Sequence, residues 1–158
     1  METNIKCNTK RIGDLSEIMV LGALIRAGYY VSIPFGENHR YDLIAEKDNT
    51  LYRVQVKTGR LRKGAILFAC YSSHGHRGGG LRRYTGEIDV FGAYCADVDG
   101  VYLIPAGDVA AWGWSLRVES TKNGQAKKVR WASRYLLDPG RGSNGLRSIG
   151  PVQLEMPS

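Results

Sequence analysis

Apolar positions are densest between Lys10 and Ala27, where Leu15, Ile18, Met19, Val20, Leu21, Leu24 and Ile25 leave little polar face beyond the first two turns. That crowding predicts a helix covered by a sheet, with Thr9 as N-cap and Gly28 as the C′ stop. The period then changes. Tyr29 to Ile33, Tyr41 to Ala45 and Leu51 to Thr58 read as strands, the second and third joined by the turn residues EKDNT. In the third, Tyr52, Val54 and Val56 share one face while Leu51, Arg53, Gln55 and Lys57 share the other. A fourth apolar run spans Ala65 to Tyr71, and the glycines of SSHGHRGGGLRR predict a mobile loop after it. Glu87 to Cys95 and Val101 to Pro105 form a hairpin around ADVDG. Ser115 to Glu119 is a further strand, Lys128 to Leu137 a short helix, and DPGRGSNG a loop or tail. One helix followed by consecutive strands and mixed elements predicts an α/β or α+β domain around a mixed sheet, spanning 1–140, with 141–158 as a C-terminal loop or tail.

At 158 residues the chain can bury a sizeable core without staples. Cys7, Cys70 and Cys95 are an odd number at distant positions, without zinc-ligand spacing, which fits a reducing cytoplasm better than a disulfide framework or structural zinc. The opening METNIKCNTKR lacks a signal peptide's apolar core, and no run is long enough to span a membrane. The formal net charge of +7 is concentrated. Lys57, Arg60, Arg62, Lys63, Arg77, Arg82 and Arg83 fall in one stretch without an acid, and Lys122, Lys127, Lys128, Arg130 and Arg134 in another. Such runs can be plain solvated surface, but two of them in a domain of this size favour a phosphate backbone as ligand.

The candidate chemistry lies in YDLIAEKDNTLYRVQVKTGR. Cleaving a phosphodiester calls for a hard cation held by a few oxygens, with a lysine beside the attacking water. Pairing of the second and third strands brings Asp42 near Lys57, and Gln55 shares the face of Lys57 and offers an amide oxygen. Glu17 supplies the missing negative charge, since its helix stripe with Leu21 and Leu24 predicts that it points toward the sheet.

The helix with Glu17, the strand with Asp42 and the QVK of Gln55, Val56 and Lys57 resemble the PD-(D/E)XK nuclease superfamily. They are most similar to its intron-encoded (homing) endonuclease branch, and more distantly to archaeal Holliday-junction resolvases. The similarity runs from about Gly13 to Tyr102 and implies a restriction-endonuclease-like core, a mixed central sheet flanked by helices. It implies that a glutamine at position 55 is compatible with activity. It also implies that Glu17, Asp42, Gln55 and the Val56 carbonyl bind Mg²⁺, for which Mn²⁺ can substitute, and that Lys57 is the catalytic lysine. Tyr41 stands where the motif has proline, a change that matters little because proline only stiffens that turn.

Each residue also has a plainer reading. Asp14 and Glu17 have the spacing of a capping box, Asp42 could pair with Arg40 or Arg53, Lys57 could be a strand-end surface lysine, and Gln55 an ordinary polar strand residue. One explanation uses all four, and it leads to a metal-dependent DNA endonuclease. Arg60, Arg62, Lys63, His74, His76, Arg77, Arg82, Arg83, Lys127, Lys128 and Arg130 then grip the phosphates of double-stranded or branched DNA, with His74 and His76 in a basic loop rather than on a metal. Trp112, Trp114 and Trp131 are expected in the core or at a subunit interface, and Tyr84, Tyr94 and Tyr102 as packing residues. Two-strand cleavage with one site per chain predicts a homodimer or homotetramer. The rival readings are a structure-selective nuclease of the junction-resolving kind and a DNA-binding module whose nuclease site has lapsed.

Overall fold

The first helix, α1 (Thr9–Arg26), is capped not by Thr9 but by Asn8, whose side chain accepts the Arg11 amide at 3.3 Å. A start this early leaves Asp14 inside the helix, so no capping box occupies Glu17. The stop is as expected, with Gly28 at φ +85°, a conformation that costs glycine little. Only one side of α1 is covered. Ser16, Val20, Ala23 and Leu24 are buried, a spacing of four, three and one, while Leu15, Ile18 and Ile25 face solvent. A sheet covers the helix as expected, but a single layer covers one stripe, so apolar residues outside that stripe stay exposed. This computed structural model describes residues 8–73, 80–109, 112–120 and 129–138.

The strands are β1 (Tyr30–Ser32), β2 (Leu43–Lys47), β3 (Thr50–Arg62), β4 (Ala65–Ala69), β5 (Tyr71–Ser73), β6 (Leu81–Arg83), β7 (Val90–Cys95), β8 (Gly100–Pro105), β9 (Gly113–Arg117) and β10 (Leu136–Asp138). The main sheet runs β1-β2-β3-β7-β8-β10, with β4 on β3 and β9 on β4. The β3–β7 pairing is parallel and the other strand pairs are antiparallel, so the sheet is mixed as the sequence predicts. Among the described residues α1 is the one α-helix, and it packs on one face of the mixed sheet.

Two apolar layers sandwich this sheet. Val54 and Val56 of β3 pack with Val20 and Leu24 of α1 and with Val90, Val101 and Leu103. On the other face Phe91, Ala93 and Cys95 pack with Ile66, Phe68, Tyr84, Tyr102, Ile104, Trp114 and Leu116. Tyr84, Tyr94, Tyr102 and Trp114 are therefore core residues, whereas Trp112 is exposed.

Two other expectations fail locally. The stretch 128–137 is not a helix where it is described. It carries a β-bridge at Trp131, a single 3-10 turn over Ala132–Arg134, and then β10, whose Leu136 pairs with Tyr102. The free edge of β8 offers a ladder of hydrogen bonds that outweighs a weak helical preference. The loop after β4 is also more ordered than its glycines suggest, since Tyr71, Ser72 and Ser73 pair with Arg83, Arg82 and Leu81 in a two-stranded ribbon. Its tip, with His74, His76 and Arg77, lies outside the described residues, as do Lys122, Lys127 and Lys128.

Candidate active site

β3 is 13 residues long, far longer than either strand on its outer side. β2 pairs with Thr50 to Val54 and β4 with Arg60 to Arg62, while β7 lies along the other side from Val54 to Gly59. Between Val54 and Arg60 the β2/β4 side of β3 therefore has no strand partner, and the sheet forks. Asp42, one residue before β2, fills the mouth of this fork. Its amide donates to the Val54 carbonyl at 2.9 Å, and its Oδ2 accepts the Val56 amide at 2.7 Å. The carboxylate thus replaces a missing ladder carbonyl and is fixed by backbone at both ends.

Gln55 Nε2 donates to the same Asp42 Oδ2 at 2.6 Å and to the Val56 carbonyl at 3.2 Å. The sequence predicts an amide oxygen offered here. Instead a positively polarised NH₂ group sits between two oxygens, which is the electrostatic position a cation would take. Turning the amide over presents Oε1 in its place, so the donor set becomes wholly oxygen, suited to a hard divalent ion.

Glu17 does not lie on the buried stripe of α1. Its side chain is exposed at the border of that stripe, one residue past Ser16. Ser16 is buried, donates to the Ile12 carbonyl at 3.0 Å, and shares a 2.7 Å hydrogen bond with Thr58 of β3. This contact docks the helix beside the fork and leaves Glu17 on the side where it senses Asp42. Partial burial first, then the negative charges of Asp42 and Asp14, push the Glu17 carboxyl above its ordinary range. Asp42 is also pushed up, chiefly by burial, against the opposing pull of the Val56 amide and the Lys57 charge. Two carboxyls raised chiefly by burial, with Asp42 adding to the rise at Glu17, mark a place where a cation would be favoured. Among the described residues no three His, Cys, Asp or Glu side chains gather into a metal cluster; the oxygens here come from two acids, an amide and a carbonyl.

Lys57 projects from the same face as Gln55 and is not a surface lysine. Its Nζ donates to the Tyr71 carbonyl and to the Tyr84 hydroxyl, each at 3.0 Å. Neither arginine suspected of pairing with Asp42 does so. Arg40 binds Glu87 at 2.7 Å and Arg53 binds Asp89 at 3.0 Å, which leaves the Asp42 carboxylate to the fork.

The basic residues separate into groups. Arg60 and Arg62 alternate with Gly59 and Leu61, so they project from the α1 face of β3, opposite Lys57. They line a groove of about 740 Å³ with Thr58, Leu67, Ser115 and Arg130, whose guanidinium stacks 3.8 Å from the Trp114 ring centre. Lys63 is exposed in the β3–β4 turn at φ +48°. Arg82 is ion-paired to Glu87, and Arg83 lies 4.5 Å over the Trp112 ring. Tyr71, Tyr84 and Arg40 are site neighbours that sequence reasoning missed. No spacing could reveal them, because the contacts span 14, 27 and more positions.

Comparison with known proteins identifies a family and a fold. The family model described as PD-(D/E)XK endonuclease matches residues 7–138. The solved structure of a bacterial homing endonuclease, I-Ssp6803I, superimposes with a TM-score of 0.63 at 22% identity, covering 82% of this chain and 88% of that one. At that identity the likeness speaks for the restriction-endonuclease-like fold. Comparison with curated protein sequences gives no match.

Proposed function

The chain belongs to the PD-(D/E)XK endonuclease family, and from that premise we propose that it makes double-strand breaks in DNA with Mg²⁺, in the manner of a homing endonuclease. Glu17, Asp42, the Gln55 amide oxygen and the Val56 carbonyl hold the ion, and Mn²⁺ can replace it. The observation that carries this reading is the fork in β3, where the Gln55 amide lies 2.6 Å from the half-buried Asp42 carboxylate and 3.2 Å from the Val56 carbonyl.

A divalent cation in that fork supplies positive charge to the scissile phosphate and lowers the pKa of an attacking water. The chain's own residues do the rest. Asp42 keeps its position through two backbone bonds and needs no reorganisation on loading. Gln55 exchanges its NH₂ for its carbonyl oxygen. Lys57 donates to the phosphate oxygen or the water where negative charge develops. Arg60, Arg62, Lys63, Arg82, Arg83 and Arg130, together with His74, His76, Arg77, Lys127 and Lys128, are the residues proposed to meet backbone phosphates.

One site per chain calls for paired protomers to cut both strands, and the apolar side chains of Tyr30, Ile33 and Phe35, the last 100% exposed, are suited to a subunit contact. Supercoiled plasmid tests the whole reading. With Mg²⁺ we expect linear product formed directly, none with EDTA, and none from Lys57→Ala, which still retards DNA. Accumulation of nicked circles alone would refute the paired assembly. Absence of cleavage by the unaltered protein, with binding intact, would leave a DNA-binding module instead.

A further inference from the structure

Lys57 has an ammonium group with three N–H donors, and the structure accounts for two of them. One goes to the Tyr71 carbonyl and one to the Tyr84 hydroxyl, both at 3.0 Å. These acceptors are the two roots of the β5–β6 ribbon, since Tyr71 opens β5 and Tyr84 directly follows β6. A four-carbon side chain that would otherwise sample many rotamers is thereby held at its tip from two directions.

The Tyr84 hydroxyl can serve as a fixed acceptor because its ring cannot move. Tyr84 is 6% exposed. Its ring packs edge-on against Phe91 with centres 5.7 Å apart, and the Arg40 guanidinium covers it at 4.3 Å. Arg40 is itself anchored, donating to Glu87 at 2.7 Å, to the Ser72 hydroxyl at 2.8 Å and to the Arg83 carbonyl at 3.0 Å. This chain of contacts runs from the residue two before Asp42, through both strands of the ribbon, to the tip of Lys57.

We infer that Tyr84 is a positioning residue for the catalytic lysine: its hydroxyl, with the Tyr71 carbonyl, fixes the ammonium so that the single remaining N–H is the one available to the reacting water or phosphate. This rests on the proposed role of Lys57. Tyr84 touches neither substrate nor cation and acts through Lys57 alone. The contribution belongs to orientation, in which a preset donor costs no reorganisation when charge develops.

Tyr84→Phe isolates the hydroxyl, because phenylalanine keeps the ring contacts with Phe91 and Arg40. Cleavage of saturating DNA in Mg²⁺ should then show kcat reduced about tenfold, which equals about 1.4 kcal/mol. KM, metal-free DNA affinity and Tm should stay at the unaltered protein's values. A second measurement does not depend on cleavage. The Lys57 ammonium, held by two acceptors, should give a slowly exchanging ¹H–¹⁵N cross-peak, assigned by its loss in Lys57→Met, and Tyr84→Phe should shift and broaden it.

Unchanged kcat together with an unchanged cross-peak overturns the inference. So does a fall in kcat that is matched by losses in DNA affinity and Tm, which marks a purely structural role. Were the unaltered protein inert toward DNA while the cross-peak still responded to Tyr84→Phe, the nuclease reading would fail and the placement of the ammonium by Tyr84 would stand.

Discussion

Asp42 spends stability on function, and its titration makes that measurable. Its folded-state pKa lies above the ordinary carboxylate range, mainly because it is half-buried, and that of Glu17 lies above it too. Folding therefore takes up protons at these sites. Their stabilising contribution is complete below the ordinary carboxylate range and is lost as pH rises through the raised values. Asp42→Asn keeps an oxygen for the Val56 amide and removes the charge, so it should raise the Tm of the metal-free protein at neutral pH. Thermal scans should show the gain shrinking toward zero as pH falls below the range of free carboxylates. A variant less stable than the parent at pH 7 would show that the two bonds to Oδ2 outweigh the buried charge. The role of Gln55 also belongs to this scale. The sequence supplied the residue, but which amide atom faces Asp42 depended on oxygens from two other positions.

The seat of α1 depends on what β7 lacks at one position. A Cβ built on Gly92 would fall 2.7 Å from Val20 Cγ1 and 3.2 Å from Val54 Cγ1, so even alanine must push the helix off the sheet. Gly92→Ala should cost about 1–3 kcal/mol, an overpacking penalty, read as a lower urea midpoint with an unchanged slope. Because the same contact area sets the distance of Glu17 from the fork, cleavage should fall beyond what the lost folded fraction explains. An unaltered midpoint would mean that α1 is not seated as described. The strand run of β3 shows the limit of local reading at this scale. Its alternation is legible from Leu51 to Thr58, but nothing local says that it continues past Gly59 to Arg62 with β2 on its first part and β4 on its last. That change of partner opens the fork. The segment 128–137 misled for a similar reason: its shape was set by the unpaired edge of β8, a partner some 35 positions away.

For the whole molecule the dominant long-range property is a net charge of +7. If about six phosphates are neutralised on duplex DNA, log-log plots of affinity against salt should fall with a slope of roughly −5. A flat response in a metal-free binding titration would remove the electrostatic account of DNA binding. The distribution of that charge was only partly legible. Arg60, Arg62 and Lys57 are neighbours in the sequence, yet alternation along β3 sends the first two to one face and the lysine to the other, and acids at Glu87 and Asp89 engage Arg40, Arg82 and Arg53. By itself the sequence determined the periods of its elements, the mixed α/β class, the basic character and the set of chemical groups at Glu17, Asp42, Gln55 and Lys57, because those follow from residue type and local spacing. Only the tertiary structure decided that Asp42 closes a fork, that Glu17 stands at the helix border, and that Tyr71 and Tyr84 hold the lysine. These are contacts between residues far apart in the chain, and their geometry is set by which strand edges find partners.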